Sequence, residues 1–184
     1  CLKDLTCPYH GWVYGLDGTL TRMKGMEQTA NFDPDENGLM PLRLESWAGF
    51  LFVSFASEVI PLEEYLGDMT EQYASYRFAD ALCVRRKSYD LKCNWKLYIE
   101  NAMEDYHTAT VHRGSIGNQD CIPVSTTGQW AAIHLEAAET IAVLPEDNTT
   151  LPHIENLTGL AAKGTIFSVI YPGTFFATHQ DCMW

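Results

Sequence analysis

The chain has little positive charge and no long hydrophobic run. Its 184 residues include 12 Lys and Arg against 24 Asp and Glu, which gives a formal net charge of −12. Nucleic acids and anionic membranes are bound through basic surfaces, so neither is an expected partner. The sequence has no run of about 18 apolar residues and no signal peptide, so we predict no membrane-spanning helix.

The cysteines also lack the regular spacing of a disulfide framework. Six are present, at positions 1, 7, 83, 93, 121 and 182. Because 46% of the residues are hydrophobic, the chain can bury a core without cross-links, and we expect one or two small folded domains. The cysteines outside the motif described below are expected to be inert thiols or small buried side chains.

The stretch 94–112 carries an unusual polar pattern for a helix. Glu100, Glu104 and His107 stand at i, i+4 and i+7, so a continuous helix would place them on one side. Two carboxylates and a histidine buried without partners would cost several kcal/mol, and a bound metal ion would satisfy them. The rest of the helix is largely apolar: Trp95, Ile99, Ala102, Met103 and Tyr106.

A second histidine decides whether that metal site is complete. His112 follows His107 by about 500° of helix, so an undistorted helix would point the two imidazoles apart. They converge only where the helix ends or widens, and residues 113–115 are a candidate stop. Two converging imidazoles leave room for a carboxylate, the arrangement that suits non-haem Fe(II). The alternative is a buried helix with one core histidine and one surface histidine.

A second motif lies near the start of the chain, in Cys7-Pro8-Tyr9-His10-Gly11-Trp12. A Cys-x-x-His pair alone is compatible with half of a zinc site or with chance. This stretch, however, resembles the second half of a Rieske 2Fe–2S motif, in which two cysteines hold one iron and two histidines hold the other.

Three stretches in the same order carry a wider resemblance. They are the Cys7–Trp12 motif, the tract Trp47-Ala48-Gly49-Phe50-Leu51-Phe52-Val53, and the polar helix pattern of residues 94–112. Together they resemble the large (alpha) subunit of Rieske-type ring-hydroxylating oxygenases. The chain starts at Cys1 and ends at Trp184 within an aromatic-rich tract, so we expect it to be a fragment of a longer gene product.

The resemblance implies an α+β fold of two partial domains. Residues 1–56 would belong to an all-β Rieske domain, and residues 57–184 to a catalytic domain, an antiparallel sheet with packed helices of the helix-grip type. Hydrophobic spacing predicts a helix over 61–77, and loops are predicted at 29–37, 113–128 and 145–163. The Asp17-Gly18 pair predicts a hairpin, residues 42–47 alternate as a strand does, and residues 50–55 are predicted to form a buried strand. Further strands are predicted at 12–14, 83–92, 129–135, 140–144, 165–171 and 174–179.

By the same resemblance, Cys7 and His10 are cluster ligands, and His107 and His112 are ligands of a mononuclear iron. The other cluster pair of the family, Cys-x-His, is absent, since Lys3 stands where Cys1 would need a histidine. The third iron ligand, a carboxylate, is expected beyond residue 184. The alternative within this chain is Asp181.

Glu104 matches the carboxylate that in this family links the iron histidine to the cluster histidine of a neighbouring subunit. A carboxylate that accepts N–H from two imidazoles fixes both tautomers and gives electrons a short bonded route. Asn101 matches a polar residue near the iron, and its alternative role is in the hydrogen bonding of the helix. Asp105 is expected to be solvated or paired with Arg113.

The implied reaction is O₂-dependent hydroxylation, dihydroxylation or oxidative demethylation of a small organic substrate, either aromatic or a quaternary amine. The implied partners are an NAD(P)H-dependent reductase, acting directly or through a ferredoxin, and further subunits in a homotrimer or an α3β3 assembly. We expect a cytoplasmic enzyme. Four sheet residues either line its substrate pocket or belong to the ordinary core: Phe167, Tyr171, Phe175 and Phe176.

Two other functions account for part of the sequence. A Rieske ferredoxin, which carries electrons without catalysis, explains Cys7 and His10 but leaves the 94–112 pattern without a role. A zinc-stabilised structural protein leaves both that pattern and the Trp47–Val53 tract unexplained. The basic triplet Arg85-Arg86-Lys87 is interpreted as a solvated strand edge, with docking of an acidic electron donor as its alternative.

Overall fold

Short antiparallel strands and short helices follow one another in separate runs along the chain, and the predicted α+β class is confirmed. The computed structural model describes residues 3–143 and 151–184. The chain divides into two units, one comprising Cys1–Leu44 and Val53–Val59, the other Glu45–Phe52 and Ile60–Trp184. The division of function into a cluster domain over 1–56 and a catalytic domain over 57–184 stays a prediction.

The smaller unit contains a three-stranded antiparallel sheet. The predicted hairpin at Asp17-Gly18 joins its second and third strands, and Gly18 adopts a φ of +88° there. The Thr19 hydroxyl and the Thr19 backbone N–H both donate to Asp17 Oδ1, which lowers the pKa of Asp17. The strands are β1 (Leu5–Thr6), β2 (Val13–Tyr14) and β3 (Leu20–Arg22).

A two-stranded hairpin follows, formed by β4 (Arg43–Trp47) and β5 (Phe50–Ser54). The prediction that the second strand is buried is wrong. Leu51 is 70% exposed and Val53 is 52% exposed, whereas Phe50 and Phe52 pack against the core of the larger unit. Only one face of the strand pair is covered, so its residues alternate between the two environments.

The predicted helix over 61–77 is broken into α1 (Leu62–Leu66), α2 (Met69–Gln72) and a 3₁₀ turn at Ala74–Tyr76. Gly67 interrupts it with a φ of +55°, and a Cβ there would lie 2.4 Å from the Thr127 carbonyl oxygen. A close approach of two backbone segments therefore overrides the helical periodicity. The pattern is correct about burial, because four of its apolar residues are core residues: Leu66, Met69, Tyr73 and Tyr76.

No regular structure forms over 81–92, so the strand predicted at 83–92 is wrong. All of these residues are exposed, the triplet Arg85-Arg86-Lys87 among them, and the segment pairs with no strand in the described chain. A strand is stable only where a partner supplies its backbone hydrogen bonds. The triplet is therefore solvated, as predicted, but it does not lie on a strand edge.

The larger unit is built on a four-stranded antiparallel sheet in the order β6-β7-β8-β9. Its first strand lies within the segment 113–128, which was predicted to be a loop. The strand predicted at 140–144 is not formed over 140–143, and residue 144 lies outside the described residues, as does part of the loop 145–163. The strands are β6 (Cys121–Val124), β7 (Trp130–Glu136), β8 (Gly164–Ile170) and β9 (Thr174–Thr178).

The two faces of this sheet have different neighbours. One face packs against α1, α2 and the β4–β5 hairpin, and it contributes Trp130, Ala132, Ile166, Ile170 and Phe176 to the core. The alternate residues of the same strands point the other way. Register pairs Ile133 with Phe167 and Val169 with Phe175. The second face is therefore available to the segments that follow α2.

Asp68 fastens α2 to the sheet. Its Oδ1 accepts hydrogen bonds from Trp130 Nε1 at 3.0 Å and Thr127 N at 2.8 Å, and its Oδ2 accepts one from Gln72 Nε2 at 2.8 Å. Burial raises the pKa of Asp68, but these hydrogen bonds outweigh it and hold the pKa below its ordinary value. Because every donor favours the ionised carboxylate, Asp68 is a charged anchor at neutral pH.

No helix in residues 3–143 or 151–184 is long and apolar enough to cross a membrane.

The close approach of Gly67 and Gly128 gives a test of the fold. Gly128 has a φ of +88°, and an added Cβ would lie 2.7 Å from the Tyr65 carbonyl oxygen and 2.8 Å from Gly67 N. Gly128→Ala should lower the free energy of unfolding by at least about 2 kcal/mol, from strain at positive φ and from the clash. Urea denaturation followed by circular dichroism measures the loss.

Gly173→Ala is the matched control, because no atom lies within 4 Å of the added Cβ and its φ is not positive. It should change the same free energy by no more than about 1 kcal/mol. Equal unfolding midpoints for the two variants would contradict the close packing at residue 128.

Candidate metal centre

The stretch 94–112 forms two helices, α3 (Trp95–Ala102) and α4 (Thr108–Val111), and the prediction of one helix is wrong. Asn94 caps α3 by accepting a hydrogen bond from Lys96 N at 3.0 Å. Between the helices, two side-chain carboxylates accept hydrogen bonds from backbone N–H groups, one within this segment and one at the start of β6. Glu104 Oε2 accepts from His107 N at 3.3 Å, and Asp105 Oδ2 accepts from Cys121 N at 2.6 Å.

The break brings the two histidines together. His107 immediately precedes α4 and His112 immediately follows it, so one helical turn separates them. Their ring centroids lie 5.1 Å apart with an interplanar angle of 65°. The two rings can converge only if the helix ends. It does end, at residue 111, and not at the predicted stop over 113–115.

The break also separates residues that one helix would have aligned. Glu100 is exposed on α3 and does not line the pocket around the histidines, so the predicted shared face with Glu104 and His107 is wrong. Ile99 is buried, but Tyr106 is 94% exposed and Trp95 is 49% exposed. The apolar side predicted for this stretch is therefore only partly buried.

A pocket lies between this segment and the second face of the sheet. The predicted pocket residues Phe167 and Phe175 line it, with stacked rings 6.5 Å apart. Phe176 lies in the core against Phe50, and Tyr171 is 47% exposed, so neither is a lining residue. The full lining is Tyr98, Asn101, Ala102, Glu104, His107, Thr108, His112, Ile116, Gln119, Ile133, Phe167 and Phe175.

Glu104 binds the His107 ring. His107 Nδ1 donates to Glu104 Oε1, and Asn101 Nδ2 donates to the same oxygen at 3.3 Å. Asn101 Nδ2 is also 3.2 Å from His107 Nδ1, but that nitrogen cannot accept a proton while it donates its own. Burial raises the pKa of Glu104, and the hydrogen bonds from the His107 ring and backbone lower it further than burial raises it.

The geometry of the two imidazoles fits one metal ion. His107 Nδ1 is occupied by Glu104, and His112 Nδ1 faces Ser115 Oγ at 3.4 Å, so the Nε2 atoms are the available ligands. Two imidazoles bound at adjacent positions through bonds of about 2.1 Å place their ring centroids about 5 Å apart. The observed 5.1 Å agrees with this value.

The described residues supply no third ligand. Residues 3–143 and 151–184 contain no group of three or more His, Cys, Asp or Glu side chains able to hold a metal. Asp181, the alternative within this chain, does not line the pocket, and its Oδ1 accepts a hydrogen bond from Thr140 Oγ1 at 2.7 Å. Within the described ranges, the site therefore consists of a pair of imidazoles.

A chain of hydrogen bonds positions α4 against the start of β6. Thr108 Oγ1 donates to the Asp105 carbonyl oxygen at 2.6 Å, and Gln119 N donates to Thr108 Oγ1 at 3.0 Å. Asp105 is thus held by Thr108 and Cys121, and the prediction that it is solvated or paired with Arg113 is wrong. Sequence reasoning missed Thr108, Ile116 and Gln119 as lining residues, because the polar segment 113–128 carries no periodic signal.

Cys7 and His10 lie at the two ends of one tight turn in the smaller unit. Gly11 N donates to the Cys7 carbonyl oxygen at 3.0 Å, Cys7 N donates to the Trp12 carbonyl oxygen at 2.8 Å, and Gly11 adopts a φ of +74°. His10 is exposed and Cys7 is half-buried. The described part of this unit contains no other Cys or His, and the assignment of Cys7 and His10 as cluster ligands stays a prediction.

The other cysteines of the described chain are free thiols, and two of them have pKa values well above the ordinary value for a thiol. Burial, together with nearby carboxylates, raises the pKa of Cys121 and that of Cys182 to about 11. Thiols with such pKa values are poor nucleophiles and poor metal ligands at neutral pH.

Comparison with known proteins places this geometry in a family. The sequence profile described as ring hydroxylating alpha subunit (catalytic domain) matches residues 78–184. The chain is 34% identical over 113 residues to a chloroplastic choline monooxygenase of Beta vulgaris, a match covering 58% of the chain and 25% of that protein. It is 36% identical over 118 residues to the anthranilate 1,2-dioxygenase large subunit of Burkholderia cepacia, covering 58% of the chain and 27% of that protein.

The fold agrees with a solved structure of the same kind. A quaternary ammonium Rieske monooxygenase in complex with its substrate gamma-butyrobetaine gives a TM-score of 0.70 at 22% identity, covering 97% of this chain and 44% of that one. The matches thus span between a quarter and just under half of these proteins' lengths. The family match includes both histidines and Glu104, and the chain belongs to the family of Rieske-type ring-hydroxylating oxygenase alpha subunits.

Proposed function

We propose that the protein is a Rieske non-haem iron oxygenase that uses O₂ to hydroxylate, dihydroxylate or oxidatively demethylate a small organic substrate. The observation that carries this proposal is the convergence of His107 and His112 on one pocket, within the segment that matches the family's catalytic domain. Fe(II) bound to these imidazoles would supply the chemistry of O₂ activation. A ferredoxin-type electron carrier would have no use for the histidine pair.

The residues around the histidines prepare them for metal binding. Glu104 holds the proton of His107 on Nδ1, so that Nε2 carries the free lone pair and becomes a more basic ligand. Asn101 helps to hold the carboxylate in place by donating to the same oxygen, Oε1. Ile133, Phe167 and Phe175 line the sheet side of the pocket and keep water from the reacting substrate.

Glu104 retains the capacity for one more donor. An ionised carboxylate offers about four lone pairs. Two on Oε1 face His107 Nδ1 and Asn101 Nδ2, and one on Oε2 faces His107 N. The side chain is 38% exposed, so a donor from outside the chain can reach it. We propose that this donor is the cluster histidine of a neighbouring subunit, and that Cys7 and His10 are the corresponding cluster ligands of this chain.

We propose the substrate class and the partners on the basis of the similar proteins. Similarity to a choline monooxygenase and to an anthranilate dioxygenase supports a quaternary amine or an aromatic substrate. An NAD(P)H-dependent reductase, acting directly or through a ferredoxin, would supply electrons. Electron transfer between neighbouring subunits requires an oligomer, for which we propose a homotrimer or an α3β3 assembly. With a net charge of −12, the chain is not expected to bind nucleic acid or membranes, and we place the enzyme in the cytoplasm.

The histidine ligands are tested by iron content. His107→Ala or His112→Ala in the purified oxygenase should remove about one iron per chain, because the remaining imidazole and the expected carboxylate leave the metal one protein ligand short. The visible and EPR spectra of the cluster should be unchanged. Iron analysis with EPR separates the two kinds of iron.

His153→Ala is the control for this test, since His153 is exposed and does not line the pocket. It should leave the iron content at the wild-type level. Wild-type iron content in His107→Ala and His112→Ala would show that these histidines are not ligands.

The cluster ligands are tested on the 184-residue chain alone. We expect it to bind no stable 2Fe–2S cluster, because Cys7 and His10 are only half of the ligand set and Cys1 has no histidine two residues later. Anaerobic reconstitution with iron and sulfide, followed by EPR, makes the measurement. A complete Rieske protein treated in parallel checks the procedure, and a Rieske signal from the chain would refute the ligand count.

The role of Glu104 is tested by Glu104→Gln. The glutamine keeps the shape, but its NH₂ group is only a donor and it cannot accept from two imidazoles as a charged group. We expect both kinds of iron, the oligomeric state and reduction of the cluster to be retained. Product formation from the pre-reduced enzyme in a single turnover should slow by at least about 100-fold.

Glu100→Gln is the matched control, an exposed glutamate on α3 that does not line the pocket. It should react at the wild-type rate. A wild-type single-turnover rate in Glu104→Gln would reduce Glu104 to a packing residue. Loss of the mononuclear iron would instead identify it as a ligand.

A further inference from the structure

The hydroxyl group of Thr108 is buried, and it makes a hydrogen bond in each direction. Only 2% of Thr108 is exposed. Its Oγ1 donates to the Asp105 carbonyl oxygen at 2.6 Å and accepts from Gln119 N at 3.0 Å. The second of these bonds is itself buried, since only 6% of Gln119 is exposed. Losing the acceptor of a buried N–H group is costly, so the hydroxyl ties residue 119 to the start of α4.

The loop that this bond secures is connected to His112. Ser115 N and Gly117 N both donate to the His112 carbonyl oxygen, each at 2.9 Å, so the chain folds back on His112 as it leaves α4. His112 N in turn donates to the Thr108 carbonyl oxygen at 3.0 Å. The end of the loop is attached to the Thr108 side chain through Gln119. A shift of the loop would therefore move His112 with it.

The other bond of the hydroxyl encloses His107. Asp105 lies two residues before this histidine, and Thr108 directly follows it. The Asp105 carbonyl oxygen accepts from Thr108 N at 2.9 Å as well as from Thr108 Oγ1. Asp105 is itself anchored, because its Oδ2 accepts from Cys121 N at 2.6 Å, at the start of β6. The backbone around His107 is thus closed into a short turn that the hydroxyl strengthens.

We propose that Thr108 is a positioning residue for the mononuclear iron, and that its hydroxyl holds His107 and His112 at the separation that one Fe(II) ion requires. Metal–nitrogen bond lengths vary by only about 0.2 Å, so a pair of imidazoles binds well only if both rings are held in place. Here the ring centroids lie 5.1 Å apart, across a helix of four residues that its own hydrogen bonds cannot stabilise. This inference rests on the proposed oxygenase function, in which these histidines bind iron.

Thr108→Val tests the inference, because valine has nearly the same shape as threonine and lacks the hydroxyl. On the full-length oxygenase, with the mononuclear iron removed and the cluster retained, the dissociation constant for Fe(II) should rise about tenfold or more. It is measured anaerobically, without turnover, by competition with a chelator of known affinity. The EPR spectrum of the reloaded iron after addition of nitric oxide should also change, because it reports the arrangement of the ligands.

Two further variants separate the hydroxyl from the packing of the side chain. Thr108→Ser keeps the hydroxyl and loses the methyl group, so it should keep the wild-type dissociation constant and EPR spectrum. Thr108→Ala removes both groups and serves if the valine variant does not fold, which circular dichroism shows. Thr110→Val is the control: it makes the same change on the same helix, at an exposed position outside the pocket, and should bind Fe(II) as the wild type does.

Three results would overturn the inference. The first is an unchanged Fe(II) dissociation constant in Thr108→Val. The second is that Thr108→Ser binds Fe(II) as weakly as Thr108→Val, which would assign the effect to packing. The third is that neither Thr108→Val nor Thr108→Ala folds, which would make the hydroxyl a support of the whole fold. Iron content separates these outcomes from a failure of the proposed function: iron retained in His107→Ala refutes the metal site, whatever the Thr108 variants do.

Discussion

The four-stranded sheet must bury one of its faces, and this requirement organises the larger unit. Because side chains alternate along each strand, burying Trp130, Ala132 and Ile166 against the helices turns Ile133 and Phe167 to the opposite face. The buried side is fixed by polar contacts as well as by packing. Tyr73 Oη donates to Ser168 Oγ at 2.7 Å in the interior, and Asp68 bonds the Trp130 ring. The pocket around the histidines therefore has a rigid apolar wall, and its register is set by the core behind it.

Glu104 connects the shape of the backbone with the chemistry of the site. Its Oε2 accepts the His107 backbone N–H in the interval between α3 and α4, and its Oε1 accepts the proton of the His107 ring. One carboxylate thus helps to place His107 one turn from His112 and also selects the tautomer that frees Nε2. Because three of its lone-pair directions are used in this way, Glu104 is better suited to orient the His107 ring than to bind a metal ion itself.

The sequence predicted elements where the local pattern and the tertiary contacts agree. The strands predicted at 129–135, 165–171 and 174–179 correspond to β7, β8 and β9 within one residue at each end, because these strands have paired neighbours. The helical spacing over 61–77 and 94–112 identified helical segments but not their breaks. Those breaks depend on the approach of Gly67 to Thr127 and on the Glu104 side chain, which accepts from His107 N. The strand predicted at 83–92 is not formed, and the described residues offer it no partner strand. His107, His112 and Glu104 were assigned from the family resemblance, because their spacing alone left a metal-free helix open. The burial of Gln119 beside them has no signal in the sequence.

The orientation of His107 depends on hydrogen bonds made by its neighbours in the chain. A four-residue helix such as α4 is too short to be stable through its own hydrogen bonds, because helix nucleation is costly. Its position must come from outside, and the bonds from Thr108 to Asp105 and from Gln119 to Thr108 supply it. Asp105 is in turn bound to the first residue of β6, so the sheet fixes both ends of the segment that carries His107.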